Sequence, residues 1–359
     1  MKTLVYCLIV VVLSCLLLTS CQPVNSRNSN RGTRNVTDMK GRTVSVPQTV
    51  NRIYVDWMQG VTVLMTLGAA DKLVFVPVWL DGDDMSWARI ICSDVANVPR
   101  ENAFSNIETI LSYKPDVVIT SEQGDFFKVD DYESVGIPTV YVSFRDYDSF
   151  QQSMSVVANI LGEEKYIEKA IRFNNFFDSN ISMVTERLGG VSEAEKKSVF
   201  YMDDIRTNTA LFTVGRGEIQ EAWIEMSGGK FATQDLVGSK MEISKEKLLV
   251  LDPDIILVSS KRQYASKKML MSDITLSNLK AVKNNQVYRI PQGIFSWCRT
   301  GPESSMQMVW TAKLLYPDLF TDIDMAKMTK SFYLDCFGTE VSDEHITKIL
   351  AGKISPTGE

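Results

Sequence analysis

Residues 105–120, SNIETILSYKPDVVIT, and residues 243–258, ISKEKLLVLDPDIILV, are two versions of one phrase. Each runs an acidic residue, two aliphatics, a short spacer, Pro-Asp and an aliphatic stretch. Glu108, Ile110, Leu111, Pro115 and Asp116 match Glu246, Leu248, Leu249, Pro253 and Asp254, always 138 positions apart. Proline keeps the residue before it out of the helical region, so Pro115 and Pro253 each end a helix and begin an extended run. Helix-proline-strand junctions are common in α/β proteins and need no duplication to explain them. A matching carboxylate seven positions before each proline is harder to explain without one.

The text around each copy has the same grammar. Before the first, VTDMKGRTVSVP alternates around Lys40-Gly41 as a hairpin does, and short aliphatic runs at 52–55, 73–76, 116–120 and 139–142 alternate with helical stretches such as MQGVTVLMTLGA. Around the second, SVFYMDD, EIQEAWIEMSGG and NNQVYRIP continue the alternation. Strands interleaved with helices predict a mostly parallel sheet covered on both faces. Between the two sets, residues 149–190 lack proline, carry Met154, Val157, Ile160 and Leu161 at helical spacing, and stop at Gly189-Gly190. The expectation is an α/β protein of two lobes, 36–148 and 191–359, each with a mostly parallel sheet flanked by helices. A long rigid helix or helix pair over 149–190 joins them and permits only small closure.

Length and composition agree, because 359 residues exceed what one core usually organises, and 45% hydrophobic with 23% charged residues is ordinary for a packed protein. A net charge of −6 argues against nucleic acid as a partner. The first twenty residues carry Lys2, an apolar run from Leu4 to Leu18 and then small residues, as an export signal does; a membrane span would need about 20 apolar residues. Leu18-Thr19-Ser20-Cys21 resembles a bacterial lipobox, which makes Cys21 the expected lipid-bearing residue and 21–35, rich in Asn, Ser, Arg and Gly, a flexible tether. Cys92, Cys298 and Cys336 remain, an odd and scattered set that predicts neither a disulfide framework nor a zinc site.

The phrases VTDMKGRTVSVPQTVNRIYV, NIETILSYKPDVVIT, GIPTVYV, LDPDIILVSS, LSNLKAVKNNQVYRIP and WTAKLLYPDLF, in that order over residues 36–320, resemble the substrate-binding lipoproteins of bacterial ABC importers. The similarity is to the helical-backbone class that delivers ferric siderophores, haem, cobalamin and related metal complexes. It implies an exported, lipid-anchored, monomeric receptor that hands a small metal complex to a permease and its ATPase. It further implies that Glu108 and Glu246 are the carboxylates that dock onto the permease.

Ligands of open parallel sheets bind beyond the carboxyl ends of the strands. Positions just past the strands offer Trp57, Trp79, Glu122 and Arg145 in the first lobe and Asp203, Arg206, Lys261, Trp297 and Arg299 in the second. Flat aromatic faces with guanidinium forks suit anionic chelates, so Trp57, Trp79, Arg145, Arg206, Trp297 and Arg299 are the candidate ligand-binding residues. Each alone reads equally as core, rim or surface. Cys298 reads as a buried small apolar side chain rather than a ligand. The one histidine, His345, falls outside the expected cleft, so direct capture of a bare transition metal is disfavoured and any metal arrives chelated; no resident cofactor is expected. Molybdate or tungstate, or cobalamin or haem, are alternative ligands on the same fold. An exported enzyme is the competing class. TVGRGE at Thr213 carries only a partial Gly-x-Gly fingerprint, there is no nucleophile elbow, and one distant histidine makes a catalytic pair improbable.

Overall fold

The computed structural model describes residues 32–78, 85–102, 106–122, 129–205, 211–259, 265–353 and 355–357. Residues 34–359 form one compact unit. The expected export signal, Cys21 and residues 21–31 of the expected tether lie outside the described residues, whereas Thr33, Arg34 and Asn35, expected as the end of that tether, belong to the first strand.

The first half opens with a two-stranded hairpin, β1 (Thr33–Thr37) and β2 (Thr43–Pro47), closed at Asp38, whose carboxylate accepts backbone N–H bonds from Lys40 and Arg42. Strand β3 (Ile53–Val55) runs into α1 (Met58–Leu67), which ends at Gly68 in the left-handed conformation. The extended run expected at 73–76 falls instead at β4 (Val76–Val78). Leu73 makes only an isolated bridge to Ile53, and β4, after which comes α2 (Ser86–Ile91), pairs with β5 (Arg100–Asn102), outside the lobe's main sheet. Helix α3 (Ile107–Ser112), β6 (Val117–Ser121), α4 (Val129–Ser134) and β7 (Thr139–Val142) complete the lobe, with β3, β6 and β7 forming a parallel sheet in the order β3-β6-β7.

Helix α5 (Tyr147–Leu161) begins at a capping box between Asp146 and Ser149 and stops at Gly162. Helix α6 (Glu164–Leu188) follows and is 25 residues long, about 38 Å at 1.5 Å per residue. It buries Tyr166, Ala170, Phe173, Phe177, Asn180 and Val184, spaced alternately by four and three.

The second half contains β8 (Ser198–Met202), β9 (Asp204–Ile205), β10 (Leu211–Thr213), α7 (Ile219–Met226), β11 (Lys230–Phe231) and β12 (Met241–Ile243). Then come α8 (Lys245–Leu251), β13 (Ile255–Val258), α9 (Ala265–Ser272), α10 (Lys280–Lys283) and β14 (Val287–Arg289). Its main sheet, β11-β8-β13-β14, is parallel throughout, and β12-β10-β9 form a small antiparallel sheet beside it. Helices α11 (Ser304–Leu315), α12 (Met325–Phe337) and α13 (Asp343–Leu350) close the chain, with His345 on α13 edge-on to Trp87 of the first lobe.

The repeated phrase is a repeated structure. Asn106 and Ser244 cap α3 and α8, each accepting the backbone N–H three residues on, from Thr109 and Lys247. Lys114 and Asp252, again 138 positions apart, both take the left-handed conformation just before their proline. The aspartates then tie each new strand to its older neighbour. Asp116 accepts the backbone N–H groups of Asn51 and Arg52 at 2.8 and 3.0 Å, and Asp254 accepts that of Ser198 at 2.9 Å.

Both main sheets are covered on both faces, as unbroken aliphatic strands require. Alternate residues separate cleanly. Ile53, Val55, Val117 and Ile119 share one continuous core with Val199, Tyr201, Ile255 and Leu257 of the other lobe and with α6, while Tyr54 and Val118, and Phe200 and Ile256, face two smaller outer cores. The lobes are thus joined by packed interior as well as by chain connection.

Candidate functional site

A cavity of about 760 Å³ opens at the carboxyl ends of the strands of both lobes. Trp57 enters it from the turn after β3 and Gln59 from the first turn of α1, Glu122 from the end of β6, and Phe144 and Arg145 from the turn after β7. Asp203 follows β8, Val214, Gly217 and Glu218 lie between β10 and α7, and Arg299 and Thr300 belong to the loop between β14 and α11. Parallel strands place the turns after β3, β6, β7 and β8 at one edge, which is why residues far apart in the chain converge, and the turn after β10 of the small antiparallel sheet joins them. The two sides also touch directly, since the Thr300 hydroxyl donates to the Phe144 carbonyl at 2.7 Å.

Charge in the cleft is divided. Arg145 is exposed and Arg299 half-buried, and among the described residues neither guanidinium makes a hydrogen bond or an ion pair. Both are open to a ligand's anionic oxygens. The carboxylates differ from one another. Glu122 is held by the Ser143 hydroxyl at 2.8 Å, the Phe144 N–H at 3.1 Å and the Tyr141 hydroxyl at 3.2 Å, so its oxygens orient the β7 turn. Asp203 accepts from the Tyr201 hydroxyl at 2.9 Å. Burial, and then the charge of Asp203, raises the pKa of Glu218. The site therefore presents two cationic forks, the half-buried indole of Trp57, and acceptors able to take hydroxyl donors.

Of the six residues expected to bind ligand, Trp57, Arg145 and Arg299 line the cavity. Trp79 and Arg206 lie outside the described residues. Trp297 does not serve as a platform, because it is 1% exposed and packs in the main core. The loop 291–303 turns its bulkiest apolar side chain inward and its guanidinium, two residues later, outward. Cys298 is fully buried, with Sγ 3.1 Å from the Ser296 hydroxyl and 3.4 Å from that of Tyr201. The Cys92, Cys298 and Cys336 thiols are free.

The sequence reading overlooked Gln59, Val214, Gly217, Glu218, Gln220 and Ser239. One signal was present. The TVGRGE stretch, set aside as a partial nucleotide motif, forms the turn that carries Val214, Gly217 and Glu218 to the rim, and Gly217 adopts φ 89° there while its N–H donates to Glu221.

Glu108 and Glu246 are both exposed, each the second residue of its helix, α3 or α8. The Ser244 hydroxyl lowers the pKa of Glu246, which keeps that carboxylate charged.

The same architecture recurs in known proteins. Haemophilus influenzae molybdate-binding protein MolA is 25% identical over 356 residues, covering 92% of this chain and 99% of its own. The Fe(3+)-citrate-binding protein YfmC of Bacillus subtilis is 27% identical over 300 residues, 78% of this chain and 86% of its own. A periplasmic solute binding protein from Veillonella parvula superposes with a TM-score of 0.78 at 25% identity, covering 91% of this chain and 99% of that one. The structure of MolA bound to molybdate superposes with a TM-score of 0.73 at 22% identity, over 86% and 99% of the two chains. With residues 59–293 matching the family described as periplasmic binding protein, and with that family's two parallel-sheet lobes around an open cleft, the chain belongs to the periplasmic binding proteins of ABC transporters.

Proposed function

We propose that this protein captures an anionic metal chelate, of the ferric siderophore or ferric carboxylate kind, in the cleft and delivers it to an ABC transporter permease. The observation that carries the reading is the pair of guanidiniums, Arg145 and Arg299, which make no hydrogen bond or ion pair among the described residues and stand beside the half-buried indole of Trp57 in one open cavity. Guanidinium forks take carboxylate or catecholate oxygens, and each charge-assisted bond contributes about 1.5–3 kcal/mol. Asp203 and Glu218 suit the hydroxyl groups that such chelates carry on their periphery. Cobalamin fits the same opening less well, having one phosphodiester for two arginines, whereas the two propionates of haem match them and make haem an outcome that the titration distinguishes.

Molybdate or a similar oxoanion is the second reading, favoured by the similarity to MolA along almost the whole chain. Size weighs against it. An oxoanion displaces the volume of two or three waters, each about 30 Å³, a small part of 760 Å³. Three carboxylates in the lining also oppose a bare dianion. Glu108 and Glu246 fit permease docking because they are exposed, matched in position and carried on rigid capped helices; such exposed pairs contribute about 0–1 kcal/mol and set registry more than affinity. The lipobox-like Cys21 fits an anchor on the outer face of the cytoplasmic membrane.

Titration of tryptophan fluorescence with ferric citrate, a ferric catecholate, haem, cobalamin and molybdate tests the reading. Saturable quenching by a ferric chelate is expected, weakened about tenfold or more by Arg145→Gln and again by Arg299→Gln. Tight saturation by molybdate with no response to chelates would establish the second reading instead.

A further inference from the structure

A second cavity, of about 420 Å³, lies at the other end of α1 from the cleft, between α1, α6 and α12. Gln59, which lines the cleft, and Thr66, which lines this cavity, are seven residues apart on α1, roughly 10 Å along the helix axis. Its volume falls within the range of about 300–1,000 Å³ usual for small-molecule sites. Two cations, Lys169 and Arg172, stand one turn apart on α6 and point into it. Among the described residues neither makes a hydrogen bond or an ion pair, although other basic side chains on the same helix, such as Lys165 and Arg187, do.

Lys169 is half-buried, and burial, with the neighbouring Arg172, lowers its pKa. An unpartnered ammonium in that setting is costly and is relieved by an anion. The opposite wall is aromatic. Phe176 is half-buried, its ring tilted 30° to that of Phe332 with centroids 5.3 Å apart, and Phe332 and Phe173 are buried behind it. Asp335 contributes one carboxylate, so the cavity carries a single net positive charge. Cys336 contributes none, since burial pushes its thiol up to about 12.

We propose that this cavity binds a small monocarboxylate with an aromatic body, the carboxylate on Lys169 and Arg172 and the ring against Phe176. The site is separate from the cleft and does not depend on what the cleft carries. The positive charge draws an anion, and the face of Phe176 selects one with an apolar body over a bare inorganic anion.

The test uses 4-fluorobenzoate observed by ¹⁹F NMR, with 4-fluorobenzamide and inorganic phosphate as comparisons. Saturable line broadening with 4-fluorobenzoate is expected, about tenfold or more weaker for the neutral amide and for the Lys169→Met/Arg172→Gln double variant. Arg172→Gln alone, at an exposed position that leaves folding intact, is expected to weaken binding severalfold, and Asp335→Asn to strengthen it. The Arg145→Gln/Arg299→Gln variant is expected to bind 4-fluorobenzoate as the wild type does. No saturation up to about 10 mM, unchanged binding in Arg172→Gln, loss of binding in the cleft variant, or phosphate binding as tightly as 4-fluorobenzoate would each overturn the proposal.

Discussion

Glu303, at the N-cap of α11, is 1% exposed, and its Oε1 accepts the Ile294 N–H at 2.7 Å and the Tyr333 hydroxyl at 3.2 Å. Burial outweighs those bonds and raises its pKa from 4.5 to about 7. The folded state therefore holds this proton more tightly than the unfolded chain does. Its contribution to stability is complete below about pH 4.5 and is lost as pH rises towards 7. The loss is on the order of 3 kcal/mol. Urea denaturation at a series of pH values should show that decline in the wild type and a flatter profile in Glu303→Gln, which keeps an acceptor for Ile294 but cannot ionise. The same carboxyl explains Gly293, where a Cβ would come within 2.4 Å of Oε1 and 2.2 Å of the Tyr333 hydroxyl oxygen. Gly293→Ala should cost several kcal/mol in the same experiment, because both neighbours are fixed by the core. None of this was visible beforehand. Burial of the glutamate follows from α12 folding back over it.

Between the repeated elements the correspondence reaches individual atoms. Asp116 and Asp254 each hold the start of the neighbouring strand, Asp116 through two backbone N–H groups and Asp254 through one. Asp116→Ala should destabilise the protein by about 1–2 kcal/mol and Asp254→Ala by about 1 kcal/mol, measured by urea denaturation. The two sites lie in different lobes and share no partner, so the double variant should show the sum. Coupling between them would mean that the lobes do not hold their sheets independently. The β4 strand departs from the sequence expectation for an element-level reason. Residues 73–76 have the composition of a central strand, but Leu73 and Val74 reach only a bridge and one backbone bond with Ile53 before the chain turns to meet β5. Composition identifies an extended segment; its partner is decided by where the next segment passes.

Across the whole molecule, α6 and the shared core hold the lobes together, and Thr300 bonds to Phe144 at the cleft floor. Spin labels placed by Glu108→Cys and Glu246→Cys should give one narrow distance distribution that barely changes when ligand is added, since a packed helical brace bends little. Cys92 and Cys298 are buried and the Cys336 thiol is pushed up to about 12, so labelling is directed to the new sites. A broad or two-peaked distribution would show that the brace hinges. The two-lobed α/β plan is legible in the chain because aliphatic alternation, proline junctions and the duplicated carboxylates are local signals that survive any tertiary arrangement. Which side chains meet in the cleft depends on how the loops pack. Trp297 and Arg299 share one irregular loop, and in such a loop no period assigns a face, so the interior claims the tryptophan and leaves the guanidinium to the solvent edge because of what packs around them.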